Sequence, residues 1–326
     1  MTNVWQSDGG LRVATSNGEW RARAVVIATG DCDMPVIPRI SARLDPGILQ
    51  LAPSRYRRPD MLPDGGVLIV GASSTGIQLA DEISASGRRV IIATGHHTRM
   101  PRTYRGRDIM WWLDRAGFMD TSTKDVEELE LSRHQPSLQL VGRSDRASLD
   151  LSVLQDRGVK VTGRLVDFDG ARARFADDLL STTVGADVKL AALLARLDAV
   201  AERPDFGFAV AEPEPFVPIW MRFATADTSV DLAAEGIHTV IWAVGYRRLY
   251  NWLDLPVLDA RGEIRHESGV TQHPGLYAIG LRFLQRRNST FIDGVGKDAA
   301  VLADHIAGYL DGWRTGLTTE TLTIGA

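Results

Sequence analysis

The sequence predicts an α/β fold with a Rossmann-like unit at its centre. Residues 66–87 contain an apolar strand, a glycine-rich turn and an amphipathic helix, and a further strand follows at Val90–Ala93. Three other apolar strands each end in a glycine, namely VVIATG at 25–30, VIWAVG at 240–245 and GLYAIG at 275–280. Unbroken apolar strands are typical of parallel sheets covered on both faces, and such sheets bind cofactors at their carboxyl edge.

The glycine-rich turn matches the G-x-G-x-x-G fingerprint, with serine at its middle position. Gly71 permits the tight turn, the small Ser73 lets the backbone approach a pyrophosphate, and Gly76 lets the helix pack on the strand. Ser74 and Thr75 complete the turn at the helix N-terminus, where phosphates bind. We therefore predict that these five residues bind a dinucleotide, and an ordinary βαβ turn is the alternative.

The loop after the second strand of this unit favours NADP over NAD. An NAD site uses an acidic residue here to hydrogen-bond the ribose, whereas an NADP site places arginine against the 2′-phosphate. Residues 88–107 contain no Asp or Glu, so Arg99 and Arg102 are the candidates, with solvated loop charges as the alternative. His96 and His97 have no further ligand set in sequence, and we interpret them as loop residues rather than as a metal site.

Composition and length are those of an ordinary globular protein. The 326 residues allow two domains, and the net charge of -4 argues against a general nucleic-acid binder. The sequence has no apolar run of about 18 residues and no signal-peptide pattern at its start, so we expect a cytoplasmic protein without a membrane span. The single cysteine, Cys32, excludes a disulfide framework and a C-x-x-C redox pair. The oligomeric state is open, with a homo-oligomer as one alternative.

The other elements follow from local patterning. Short strands around two turns are expected at 3–23, and proline-containing connections at 35–38 and 48–65. Apolar periodicity predicts the remaining helices at 106–117, 149–157, 187–203 and 297–310. Strands are predicted at 159–165 and 172–175, mostly loop at 121–148, an irregular segment at 204–218 and a tail at 313–326.

Together these motifs resemble the flavin-containing monooxygenases of class B, and within them a bacterial FAD-dependent group labelled as flavoproteins of potassium transport. The resemblance covers nearly the whole chain. It is carried by VVIATG (25–30), GVLIVGASSTG (66–76), RMPRTYRGRDIMWWL (99–113), PSLQLVGRSD (136–145), VIWAVGY (240–246) and PGLYAIGLRFLQRRNSTFIDGVGKDAA (274–300).

The resemblance implies two Rossmann-like dinucleotide-binding domains, with the NADP domain inserted in an incomplete FAD domain. The NADP domain would be 40–235, and the FAD domain would consist of 1–39 and 236–312. In the family NADPH reduces FAD, and one oxygen atom from dioxygen enters a small organic substrate. By the match, NADP would be bound by Gly71, Ser73, Gly76 and Arg99, and FAD by Gly30, Gly245, Gly280 and Asp293.

Two departures from the family pattern affect the expected function. The residues before Ala24 are too few for the βαβ unit of roughly 30 residues with which the family's FAD domain begins, so we expect an N-terminally truncated and impaired enzyme. Ala52 stands where the family pattern has histidine, which places in doubt the coupling of NADPH oxidation to oxygenation. A non-catalytic NADP-binding module or partner subunit is the alternative function. The single cysteine argues against a third, a disulfide reductase.

Overall fold

The structure is a computed structural model that describes residues 1–223 and 225–315. The chain forms two compact units. Unit 1 contains residues 1–34, 117–134 and the described residues from 246 onward, and unit 2 contains residues 35–116 and 135–245. Unit 2 is therefore continuous in sequence except for the excursion at 117–134.

The helices of the described residues differ widely in length. They are α1 (Ser74–Ala85), α2 (Ile109–Arg115), α3 (Leu129–Arg133), α4 (Leu151–Asp156), α5 (Leu179–Ala201) and α6 (Val295–Thr315). Short 3-10 turns occur at Arg39–Arg43, Pro53–Arg55, Pro59–Met61, Thr123–Asp125 and Trp220–Phe223. No helix in the described part of the chain is long and apolar enough to cross a membrane.

The strands are mostly short. Those up to residue 108 are β1 (Asn3–Ser7), β2 (Gly10–Thr15), β3 (Gly18–Ala22), β4 (Val25–Ile27), β5 (Met34–Pro35), β6 (Leu49–Leu51), β7 (Gly66–Val70), β8 (Val90–Ala93), β9 (Thr98–Arg99), β10 (Thr103–Tyr104) and β11 (Arg107–Asp108). The later ones are β12 (Leu138–Gln139), β13 (Lys160–Thr162), β14 (Leu165–Asp169), β15 (Arg172–Phe175), β16 (Ser229–Asp231), β17 (Ile237–Trp242), β18 (Tyr246–Arg247), β19 (Leu253–Asp254), β20 (His266–Glu267), β21 (Val270–Thr271) and β22 (Leu276–Ala278).

Unit 2 is built on a five-stranded sheet in the order β13-β8-β7-β17-β6, and all of its strand pairs are parallel. From β7 the chain goes to β8 and then β13 on one side, while β17 and β6 lie on the other. The order therefore reverses between β7 and β17. Open α/β sheets bind ligands at such a switch point, outside the carboxyl ends of the strands.

Apolar side chains cover both faces of this sheet. On one face, Ile77, Ala80 and Ile83 of α1 belong to a buried cluster with side chains of β7 and α4. On the other face, Trp242 and Phe168 meet edge to face in a cluster formed with β14, β15 and β16. The apolar face that the periodicity of α1 predicts is thus confirmed.

Unit 1 contains two four-stranded sheets. One has the order β19-β1-β2-β3 and includes the N-terminal strands predicted at 3–23, and the other has the order β20-β21-β22-β4. In the second sheet β4 and β22 are parallel, with Ile27 opposite Ala278. A buried cluster that includes Val4, Ile27 and Leu276 joins the two sheets into one core.

Several elements differ from the sequence-based expectation, among them α3 and β12, which lie in the segment expected to be mostly loop. Strand β17 was expected in the second segment of an FAD domain, yet it pairs with β7 and β6 in the sheet of unit 2. A glycine-ended apolar run identifies a buried parallel strand but not the sheet it joins. Helix α5 begins eight residues earlier than predicted, and α6 continues to Thr315. The rest of the tail expected at 313–326 lies outside the described residues.

Candidate functional site

The glycine turn lies at the switch point of the sheet of unit 2. Gly71 has a φ of +108°, a conformation that favours glycine, and a Cβ atom on it would overlap the carbonyl oxygen of Ala243, which follows β17. A Cβ atom on Gly76 would overlap the carbonyl oxygen of Gly71. The two glycines therefore allow α1 to start directly against the strand end, as the fingerprint predicts.

The N-terminus of α1 has the features of a phosphate site. Ser73 is the N-cap residue, and its side chain makes no capping hydrogen bond, while Ser74 donates to the carbonyl oxygen of Leu140 at 3.3 Å. Thr75 is exposed. The first amide groups of a helix have no intrahelical acceptor, and the first turn of α1 carries no acidic residue that would repel an anion.

A buried glutamine supports the turn from the side, and sequence reasoning did not identify it. Gln139 is 1% exposed and donates from Nε2 to the carbonyl oxygen of Ala72 at 2.7 Å. Its Oε1 has no hydrogen-bond partner among the described residues. The segment around it was expected to be loop, and the two-residue strand β12 gives no periodic signal by which it could have been found.

Arg99, a predicted 2′-phosphate ligand, is held inside unit 2 by two carboxylates. Its Nε lies 3.0 Å from Oδ2 of Asp150, and its Nη1 lies 2.8 Å from Oδ1 of Asp187. Nη1 also donates to the carbonyl oxygen of Val217 at 2.9 Å. Only 14% of the side chain is exposed. Nε and Nη1 of Arg99 are therefore engaged within unit 2, and a contact of Arg99 with the 2′-phosphate stays a prediction.

Arg102, the second candidate, is also paired within unit 2. Its Nη2 lies 2.5 Å from Oδ2 of Asp108, and its backbone amide donates to the hydroxyl of Ser148. Asp108 caps α2 through its other oxygen, which accepts from the amide of Met110. Arg102 therefore anchors the start of α2.

The two histidines of the loop after β8 differ in exposure. His96 is exposed, whereas His97 is 3% exposed, and burial lowers its pKa. Its Nδ1 lies 3.0 Å from the carbonyl oxygen of Gly95, so Nδ1 carries the proton of the neutral ring. His97 thus fastens the loop, and His96 faces solvent at the end of β8.

The residues expected along the flavin do not all belong to one unit. Gly30 and Gly280 follow the parallel strands β4 and β22 of unit 1, and the amide of Ile279 donates to the carbonyl oxygen of Ile27 at 2.9 Å. Each of these two glycines has a φ of +73° and open space where a Cβ atom would point. Asp293 is exposed, two residues before α6.

Gly245 is placed elsewhere. It follows β17 in unit 2, three residues after the last paired position of that strand, and its φ is +98°. Strand β17 lies next to β7 in the sheet. Gly245, which follows β17, therefore lies at the same switch point as the glycine turn. The sequence-based assignment of Gly245 to the FAD domain differs from this placement for the reason given for β17.

Comparison with known proteins gives a consistent set of relatives. The chain matches the family described as "Pyridine nucleotide-disulphide oxidoreductase" over residues 1–113. It is 28% identical over 308 residues to "Uncharacterized oxidoreductase CzcO-like" of Geobacillus kaustophilus. The aligned region covers 94% of this chain and 71% of that protein. It is 26% identical over 299 residues to "Uncharacterized oxidoreductase CzcO" of Bacillus subtilis, with coverages of 91% and 68%.

Solved structures show the same architecture. The chain is similar to "Flavin-containing monooxygenase from Stenotrophomonas maltophilia" with a TM-score of 0.56 and 16% sequence identity, covering 95% of this chain and 70% of that chain. The predicted α/β fold with two Rossmann-like dinucleotide-binding domains is thereby confirmed.

Proposed function

We propose that this chain, a member of the flavin-containing monooxygenase family, uses NADPH to reduce FAD and inserts one oxygen atom from dioxygen into a small organic substrate. Flavin and a nicotinamide nucleotide are the cofactors of these oxidoreductases. One observation carries the nucleotide half of the proposal, namely the glycine turn and free helix N-terminus at the switch point of unit 2.

The residues of unit 2 fit a dinucleotide pyrophosphate. Side chains larger than hydrogen are excluded at Gly71 and Gly76, so the backbone of the turn remains accessible beside α1. The small Ser73 leaves room in front of the helix, and the first amides of α1 donate to an anion. In the proposed complex these groups orient the nucleotide, and Gly245 keeps the neighbouring strand end free of a side chain.

The residues of unit 1 fit part of a flavin dinucleotide. Gly30 and Gly280 leave the carboxyl ends of two paired parallel strands open, which suits the close approach of a planar ring system. Among the described residues of unit 1, no strand is followed directly by a glycine turn and a helix, as β7 is followed by α1 in unit 2. These residues therefore offer no equivalent site for the flavin pyrophosphate. When bound, the flavin supplies the redox chemistry with dioxygen, and the protein orients it and excludes water.

The nucleotide site is tested by replacing the serine in the middle of the fingerprint. Ser73→Leu places a bulky side chain in front of the helix N-terminus, and we expect loss of NADPH binding in calorimetric titration with an unchanged circular dichroism spectrum. Ser84→Leu, near the opposite end of α1, is the matched control and should bind normally. Unchanged NADPH affinity in folded Ser73→Leu protein would mean that the turn has only a structural role.

The flavin half is tested separately. Because the described part of unit 1 offers only the strand-end glycines, we propose that the 326-residue chain binds FAD weakly and oxidises NADPH slowly. Titration followed by flavin fluorescence, with NADPH oxidation and oxygen uptake measured at saturating FAD, examines both steps. A yellow, rapidly oxidising preparation would contradict the proposed impairment while supporting the oxygenase assignment.

The described part of unit 1 offers only strand-end glycines to a flavin, and this observation favours a second candidate function, a non-catalytic NADP-binding module or partner subunit. Under this alternative NADPH binds at the glycine turn, and no oxidation occurs at any FAD concentration. Measurable oxygen uptake that depends on both FAD and NADPH would exclude it. The two candidates therefore differ in the activity assay and agree in the binding assay.

A further inference from the structure

We infer that Arg164, at the end of β13, binds the 2′-phosphate of NADP(H), in place of the arginines in the loop after β8. This inference rests on the proposed NADPH site in unit 2. The ligand of Arg164 would be a phosphate monoester on a ribose, and no sequence motif points to this side chain.

Arg164 lies at the carboxyl edge of the sheet of unit 2, next to the end of β8. Strands β8 and β13 are parallel neighbours, with Thr162 opposite Ala93, and the amide of Thr94 donates to the carbonyl oxygen of Thr162 at 3.0 Å. A dinucleotide that starts at the turn after β7 extends along the carboxyl edge, so its adenosine ribose lies near the end of the next strand, β8. The residues directly after β13 therefore lie beside the ribose site.

The side chain of Arg164 lies beside the loop after β8. A Cβ atom on Gly95 would lie 3.8 Å from Cδ of Arg164, so the stem of the arginine passes over the first loop residues after β8. Gly163 has no room for a side chain, since its Cβ atom would overlap the carbonyl oxygen of Ala176. The backbone of Arg164 is thus fixed by the tight packing at Gly163, and its side-chain stem lies beside Gly95, the second residue after β8.

The guanidinium of Arg164 is available to a ligand. The Arg164 side chain is 65% exposed and makes one ion pair, in which Nε lies 3.4 Å from Oδ2 of Asp178. Both Nη groups have no acceptor among the described residues, so the two donors that bind phosphate in a fork are free. The Arg99 side chain is only 14% exposed and has three acceptors at 3.0 Å or less.

The loop after β8 brings no carboxylate to this position, because residues 94–107 contain no Asp or Glu. Asp178 contacts Arg164, and its Oδ1 already accepts from the backbone amide of Arg164 at 2.9 Å. Its remaining contact with the guanidinium is long enough for a phosphate to displace.

The experiment compares four proteins: the parent chain, Arg164→Ala, Arg164→Lys and Arg172→Ala. Arg172 is the matched control, because it lies at the opposite end of the β14–β15 hairpin that Arg164 precedes, is 56% exposed and also has one ion pair at 3.4 Å, with Asp231. Affinities for NADPH, NADH, adenosine 2′,5′-bisphosphate and AMP are measured by calorimetry. Circular dichroism verifies the fold of each variant.

We expect Arg164→Ala to weaken binding of NADPH and of the bisphosphate about tenfold or more, and binding of NADH and AMP less than twofold. Arg164→Lys should retain part of the preference, and Arg172→Ala all of it. If Arg164→Ala changes neither affinity, or both by the same factor, the inference is wrong while the proposed NADPH site stands. If the parent chain binds neither nucleotide, the proposed function fails and the inference with it.

Discussion

Replacing Arg99 by alanine distinguishes a structural bridge from a nucleotide ligand. The guanidinium joins Asp150 and Asp187, whose side chains are 9% and 4% exposed. Its removal leaves two carboxylates in a poorly solvated space without a cation. Breaking a buried ion pair by removing one partner costs about 3–5 kcal/mol of the free energy of unfolding.

The remaining hydrogen bonds place the expected cost at the lower end of that range. Oδ2 of Asp187 keeps the backbone amides of Ile219 and Trp220 at 2.7 and 3.1 Å. Oδ1 of Asp150 keeps its capping bonds to the amides of Ser152 and Val153. Both carboxylates therefore stay partly satisfied, and we expect a loss of about 3 kcal/mol.

Urea unfolding followed by tryptophan fluorescence measures this loss, and calorimetry measures the ratio of NADPH to NADH affinity in the same protein. For Arg99→Ala we expect lower stability and an unchanged ratio. Arg102→Ala is the matched control, because its partly exposed pair with Asp108 should contribute at most about 1 kcal/mol. Adding Asp187→Asn to Arg99→Ala should recover part of the stability by removing one unpaired charge.

Two results would refute this reasoning about Arg99. One is a stability within about 0.5 kcal/mol of the parent, which is the range of surface substitutions without structural consequence. The other is a selective loss of NADPH affinity with NADH affinity unchanged, which is the behaviour expected of a 2′-phosphate ligand. The sequence alone predicts the selective loss of NADPH affinity. The experiment therefore decides whether Arg99 is a ligand of the 2′-phosphate or a buried bridge between Asp150 and Asp187.

Two further predictions concern backbone packing and pH. Gly76→Ala should lower stability by about 1–3 kcal/mol and remove nucleotide binding, because the new Cβ overlaps the carbonyl oxygen of Gly71. Gly185→Ala, in open space on α5, should raise stability by about 0.5–1 kcal/mol, and thermal unfolding of both variants tests the contrast. Burial lowers the pKa of His266 to about 4, so the unfolded chain takes up this proton first, and about 3 kcal/mol of stability should be lost as the pH falls from 6.5 toward 4. His266→Asn keeps an acceptor for the amide of Gly269 and should flatten that part of the pH profile relative to the parent, whereas an unchanged profile would contradict the assignment.

The central unit could be predicted from the sequence because its determinants are local. Within about 20 residues, an apolar strand, two glycines and an amphipathic helix specify the turn, and the structure has β7 and α1 where the pattern places them. The family resemblance was predicted from motifs spread over the chain, and the oxidoreductase relatives support it. Motifs of this kind can be recognised without knowledge of tertiary contacts.

Contacts between distant residues could not be predicted. Arg99 meets Asp150 and Asp187, which are 51 and 88 positions away, and no pattern in the sequence links them. The same limit applies to β17, since its apolar run is compatible with either sheet and only the pairing with β7 and β6 decides. The sequence identifies an arginine near a motif as a candidate ligand, but the carboxylates that it contacts in the folded chain decide which of its donors remain for a ligand.

The absence of acidic residues in the loop after β8 is a weaker argument for NADP than the sequence suggests, because folding brings carboxylates to this region from elsewhere. Asp150 and Asp187 are neutralised in part by Arg99, and Asp178 faces Arg164. An acid at the ribose favours NAD, and a free arginine favours NADP. Under the proposed assignment, the preference for NADP depends on the competition between Asp178 and a phosphate for the guanidinium of Arg164, and the 3.4 Å contact of a side chain that is 65% exposed favours the phosphate.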